Sequence, residues 1–174
     1  MTSWHLSPTG EQQARDLARS RAWSALTLIV SSPEAKAVAT AQPIADAAGL
    51  DLRIERDLHE VDRGTTPLVS RSEYDALVEA HFASPDESVS GWEPANVARA
   101  RAAACIDRLA EEAGGDLCVV SHGLVLSHYL AHLRGLPSPV LDEWRAIPLP
   151  GIATVENGRP TAPFVSLMEF TGLA

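Results

Sequence analysis

Apolar residues recur along this chain with two periods, and the points where one gives way to the other divide it into alternating helices and strands. Ser7 or Thr9 can cap a helix over 10–21, with Ala14, Leu17 and Ala18 on one face and charges on the other. Leu26 to Val30 is a short β-rich run that stops at Ser31, Ser32 and Pro33. The pattern then predicts a helix over 34–48, stopped by Gly49 and kinked or divided by Pro43. Residues 51–56 alternate apolar and charged positions, as an edge strand does, and 58–64 form a polar loop. Helical spacing returns over 72–82. A loop rich in Ser, Pro and Gly over 83–94 leads to an alanine-rich helix over 95–113, ended by Gly114 and Gly115.

The sharpest transition lies at 117–123, Leu-Cys-Val-Val-Ser-His-Gly, where a buried strand delivers His122 to a strand-to-helix turn ahead of a helical pattern from Leu124 to Leu133. Beyond it, 135–150 is rich in proline and turn residues, and 152–156 and 164–170 read as two strands. Asn157-Gly158 between them favours a turn, although Pro160 and Pro163 argue for a loop longer than a minimal hairpin. Strand and helix alternate through most of the chain, which predicts a three-layer α/β/α sandwich with a mainly parallel sheet.

At 174 residues the chain is expected to be one domain, and its 45% hydrophobic and 21% charged residues are those of an ordinary globular protein. A net charge of -9 makes the surface repel phosphate backbones and anionic lipid, and no concentrated basic patch offsets it. Nucleic acid and membrane are therefore not expected as partners. The first ten residues hold no apolar core of signal-peptide length, so the expected location is cytoplasmic. Cys105 and Cys118 read as reduced core residues.

Three strand ends carry polar clusters: Ser31, Ser32 and Lys36; His59, Glu60, Asp62 and Arg63; and Ser121 with His122. Parallel strands would bring them to one edge of the sheet, where ligands bind in such folds. A cation, a carboxylic acid and a histidine meeting there suit an anionic, phosphate-like ligand, and the amides opening the helix after Gly123 add further donors. His128 and His132 have the i, i+4 spacing of a zinc pair but neither an intervening Glu motif nor a third ligand. No metal or other cofactor is assigned. His5 reads as a surface residue, His59 as a loop histidine facing solvent, and His81 as lying on the exposed side of its helix.

Taken together these motifs resemble the histidine phosphatase superfamily, also called phosphoglycerate-mutase-like proteins. Leu6 to Ala14 (Leu-Ser-Pro-Thr-Gly-Glu-Gln-Gln-Ala) is similar to its Leu-Thr-x-x-Gly-x-x-Gln-Ala helix start. Ser31-Ser32-Pro33-Glu34-Ala35-Lys36-Ala37 with Thr40-Ala41 is similar to its Ser-Ser-Pro-x-x-Arg-Ala-x-x-Thr-Ala turn. Leu58, Glu60 and Gly64 match its Leu-x-Glu-x-x-x-Gly loop, Gly91-Trp92-Glu93 loosely matches its Gly-Gly-Glu-Ser segment, and Val120-Ser121-His122-Gly123 matches its second histidine motif.

The resemblance implies phosphoryl transfer. His122 would be the phosphate-binding second histidine and Glu60 the acid that protonates the leaving oxygen, with Lys36, Ser32, Arg63 and Gly123 binding the substrate. Residues 68–94 would be the variable cap, in which Trp92 and Glu93 either face the pocket or pack the cap. Two departures stand out. Lys36 replaces an arginine, keeping the charge but losing the bidentate fork. The family's opening strand, ending in Arg-His-Gly and carrying the nucleophile, has no room ahead of Leu6, so the fold is expected to lack its first inner strand.

Two readings follow: an enzyme whose full form hydrolyses a phosphate monoester through a phosphohistidine while this chain is inactive, or a non-catalytic relative that binds an anion or a protein. In either case the partner would be a phosphorylated small molecule or other anion. A homodimer is a further expectation, because a lost inner strand exposes sheet edges.

Overall fold

The computed structural model describes residues 4–65 and 67–172. Its centre is β1 (Leu26–Ser31), whose consecutive residues Ile29 and Val30 point to opposite faces and are both fully buried. Parallel partners flank it on each side: β2 (Leu52–Ile54), with Ser31 opposite Ile54, and β3 (Asp116–Val120), with Ser31 opposite Val120. The order β2-β1-β3 leaves β3 at an edge, and among the described residues no strand pairs with its far side.

Helices cover both faces, giving the three layers the alternating pattern predicts. On one face α1 (Pro8–Leu17) and α2 (Ala35–Ala48) bury Leu17, Ala41, Ile44 and Ala45 around Ile29. On the other, α4 (Ala95–Ala113) and α5 (Gly123–Leu133) bury Ile106, Leu109, Tyr129 and Leu130 around Val30. Between β2 and α4 runs α3 (Arg71–Ala83), whose Val78 and Phe82 join Trp92 and Leu124 in a third apolar cluster. This cluster seats 68–94 beside the start of α5.

Local chemistry explains most boundaries. Ser7 caps α1 by accepting from the Gly10 amide at 3.1 Å, so the helix begins earlier than the apolar period alone suggests. Ser70 and Glu73 form a reciprocal capping box on α3. Gly114 ends α4 at φ 61°, a conformation that a side chain disfavours. Pro43 does not divide α2: the buried Ala41, Ile44 and Ala45 on either side hold the helix continuous across the lost hydrogen bond.

The last quarter departs from expectation. A short helix, α6 (Leu141–Arg145), lies within the proline-rich stretch. Two small antiparallel ribbons follow, β4 (Gly151–Ile152) with β7 (Val165–Ser166), and β5 (Val155–Glu156) with β6 (Arg159–Pro160). Asn157 and Gly158, at φ 51° and 73°, make a two-residue turn between β5 and β6, so the hairpin is minimal despite Pro160. Pro160 sits at the ribbon's outer end, where a missing N–H costs little. The predicted second strand survives only as β7, and the chain then turns into α7 (Leu167–Gly172). Ser166 and Glu169 bond each other's backbone amides there, at 2.8 and 3.4 Å, which starts the helix.

Candidate functional site

The ladder between β1 and β3 runs one residue past the strands, where the Ser32 amide donates to the Val120 carbonyl at 2.9 Å. That register puts Ser32 beside His122, and the Ser32 hydroxyl lies 2.7 Å from His122 Nε2, with both residues buried. A third segment is drawn in by Ser121, whose hydroxyl donates to the Leu58 carbonyl at 2.7 Å. Glu60 follows on that segment. Members of all three strand-end clusters therefore meet at one edge of the sheet.

Glu60 occupies the first turn of α5. Its Oε2 accepts from the Leu124 amide at 3.2 Å, and its Oε1 from the Val125 and Val61 amides at 3.0 and 2.9 Å. The helix amides expected to await a ligand are thus already taken by this carboxylate, because a buried anion needs them more than solvent does. Desolvation raises the Glu60 pKa above the usual carboxylate value, and the three amide bonds and Lys36 only partly offset it. Although some surface of the residue remains accessible, its carboxyl group is enclosed.

Sequence patterns gave no warning of Glu34, the residue ahead of α2. Its Oε1 lies 3.1 Å from His122 Nε2 and accepts from the Glu60 amide at 3.0 Å, while its Oε2 is 3.4 Å from Lys36 Nζ. Desolvation opposes its charge, but the Glu60 amide, His122 and Lys36 outweigh it and hold its pKa below the ordinary value. Burial lowers the His122 pKa to about 4 against the pull of Glu34, so the imidazole is neutral at pH 7. An ionised Glu34 beside Nε2 favours the tautomer with the proton there. The usable signal was the position itself, an acid inside the Ser-Ser-Pro-Glu-Ala-Lys turn.

Ser32, Lys36, Glu60, His122 and Gly123 are gathered here, and Arg63 stands apart. Its guanidinium carbon lies 5.7 Å from the centre of the Tyr74 ring, on an exposed loop. Tyr74 itself packs against Trp92 and Trp144, and burial, then the Glu60 charge, raise its pKa. At Gly123 a Cβ would make only ordinary contacts with Trp144 and Ile147, so packing does not demand the glycine.

The remaining histidines are elsewhere or differently engaged. His59 is half-buried rather than solvent-facing, its Nδ1 donating to the Glu60 carbonyl at 2.6 Å. His81 is fully buried, contrary to its expected exposure, because it packs against Trp92 and its Nε2 lies 3.0 Å from His128 Nε2. His128 is likewise buried whereas His132 is exposed, and among the described residues no group of three or more metal-ligating side chains gathers. Trp92 is core, and Glu93 is clamped by Arg101 at 2.7 and 3.0 Å, so neither lies open to a ligand. Arg101 also donates to the Asp57 and His59 carbonyls at 2.6 and 3.1 Å, fastening the segment that carries Glu60.

Comparison with known proteins supplies the family. The chain is 29% identical over 142 residues to a probable phosphoglycerate mutase, GpmB, of Enterobacter sp., covering 76% of this chain and 65% of that one. It thus spans just under two thirds of that relative's length. A mycobacterial glucosyl-3-phosphoglycerate phosphatase has a similar structure, with a TM-score of 0.67 at 26% identity over 84% of this chain and 76% of that chain. A phosphoserine phosphatase from Entamoeba histolytica, solved with phosphoserine, shares the fold with a TM-score of 0.73 at 24% identity, covering 95% and 86%. The model of the histidine phosphatase superfamily (branch 1) matches residues 2–158. With its sheet edge gathering Ser32, Glu60 and His122, the chain belongs to branch 1 of the histidine phosphatase superfamily.

Proposed function

We propose that this cluster is a phosphate-handling site that takes a phosphorylated small molecule or a similar anion. The supporting observation is that His122 Nε2 lies 2.7 Å from the Ser32 hydroxyl and 3.1 Å from the Glu34 carboxylate, which also pairs with Lys36. In this reading His122 Nε2 and the Ser32 hydroxyl donate to phosphoryl oxygens, and Lys36 supplies the positive charge as a point source rather than a planar fork. Gly123 brings its backbone to the site beside His122, and Arg63 would reach only the ligand's outer part. Glu60, kept protonated more readily than an exposed acid, gives its proton to the leaving oxygen. In the full form a nucleophilic histidine takes the phosphoryl group, and water releases phosphate from the phosphohistidine.

Among the described residues, His122 is the one histidine at the end of a sheet strand, and His81 and His128 are paired in the core. Turnover of a generic aryl phosphate is therefore expected to stay at background. Robust hydrolysis abolished by His122→Ala would overturn this expectation. Translating the DNA ahead of Met1 tests the full form directly, since an in-frame strand ending in Arg-His supports it and an immediate stop removes it.

The second reading, an anion-binding or protein-interaction relative without catalysis, draws support from Lys36 and from the acidic Glu34 beside it. In either case the far side of β3 favours self-association through strand pairing. Sedimentation velocity is expected to show a dimer, and a strictly monomeric species would remove this proposal.

A further inference from the structure

An ionised group stands in the middle of the proposed anion site. Glu34 directly precedes α2, yet its side chain makes no capping bond to that helix and turns into the site instead. There the carboxylate meets an imidazole nitrogen at 3.1 Å, a backbone amide at 3.0 Å and an ammonium at 3.4 Å. These are the three kinds of donor an oxyanion uses, and one carboxylate engages them together. Around it the groups differ in freedom: the His122 side chain is only 4% exposed, whereas those of Glu34 and Lys36 are 35% and 37% exposed. The imidazole is fixed and the acid has room to leave.

We propose that the Glu34 carboxylate is a built-in anion that occupies the phosphate position, so that an anionic ligand binds only by displacing it. The inference rests on the anion-site reading above. If Glu34 stays, its charge repels a phosphate dianion at close range; if it swings out, its three contacts are lost. Both routes weaken anion binding in proportion to the ligand's charge. Neutralisation offers no escape at pH 7, since the same contacts keep this acid ionised. The residue would thus set how much negative charge the site accepts.

The test is a titration with inorganic phosphate at pH 7 and fixed ionic strength, followed by NMR at the His122 imidazole and at Lys36, the sole lysine of the sequence. Wild type is compared with Glu34→Gln and Glu34→Ala. Both variants are expected to bind phosphate about tenfold more tightly or better. Glu34→Gln keeps an acceptor for the Glu60 amide and so isolates the charge; it decides the matter if Glu34→Ala does not fold. Should phosphate perturb His122 in wild type while the variants bind no more tightly, the built-in anion is refuted and the site stands. Should His122 respond to phosphate in none of the three, the anion-site reading falls and this inference with it.

Discussion

Replacing Arg101 with alanine is expected to cost about 3–5 kcal/mol of stability, the range found when one member of a buried ion pair is removed. The Arg101 and Glu93 side chains are only 13% and 12% exposed, and their paired bonds leave little for solvent to replace. Removal strands a carboxylate and leaves the Asp57 and His59 carbonyls without this donor. The damage should also travel, because those carbonyls belong to the segment that presents Glu60 to α5. Faster hydrogen exchange at the Leu124 and Val125 amides, which Glu60 accepts, is the local signature. Denaturant unfolding of Arg101→Ala, Glu93→Leu and the double variant checks the pairing. Additive losses would show that the two side chains act independently.

Acid should destabilise the protein through the His81–His128 contact, with an effect on the order of 3–5 kcal/mol. Burial, then His81, Arg99 and Arg101, lower the His128 pKa to about 3. Burial also lowers that of His81, with Glu93 opposing. The unfolded chain protonates both near pH 6.5 and the native state does not, so unfolding takes up protons in this window. The stabilisation is whole above pH 6.5 and is lost as pH falls toward about 3. His81 Nδ1 is buried without a hydrogen-bond partner, so replacing both rings with leucine removes an unpaired polar atom. The double variant should remain stable at pH 7 and take up one to two fewer protons on unfolding near pH 5. An unchanged acid limb would assign the effect to other groups.

These two clamps were the least legible parts of the chain, and the reason is physical. Each joins residues far apart in sequence, Arg101 to the Asp57 and His59 carbonyls and His81 to His128, and neither partner carries a local mark of the other. Periodicity sees only one element at a time. It therefore placed α4, α5 and the β1 and β3 strands well, since each is a long or strongly apolar run. It misread 164–170, where Phe164, Val165 and Phe170 suggested a strand while Ser166-Leu-Met-Glu169 carried a helix-start signature within the same window. The clustering of Ser32, Lys36, Glu60 and His122 was legible because strand ends of a parallel sheet converge. Glu34 was missed because an acid beside a lysine looks like an ordinary surface pair until the third and fourth partners, His122 and the Glu60 amide, come into view.

An acid that hands over its proton must accommodate the charge it keeps. In its proposed role, Glu60 would become an anion with the Leu124, Val125 and Val61 amides already aimed at its oxygens. Little need move when the proton departs, because α5 serves as a ready-made solvent shell for the conjugate base. That asymmetry has a kinetic side. Burial still outweighs those amides and favours the protonated form, so in that role recharging the acid from water would be the easier half of a cycle and giving up the proton the harder one.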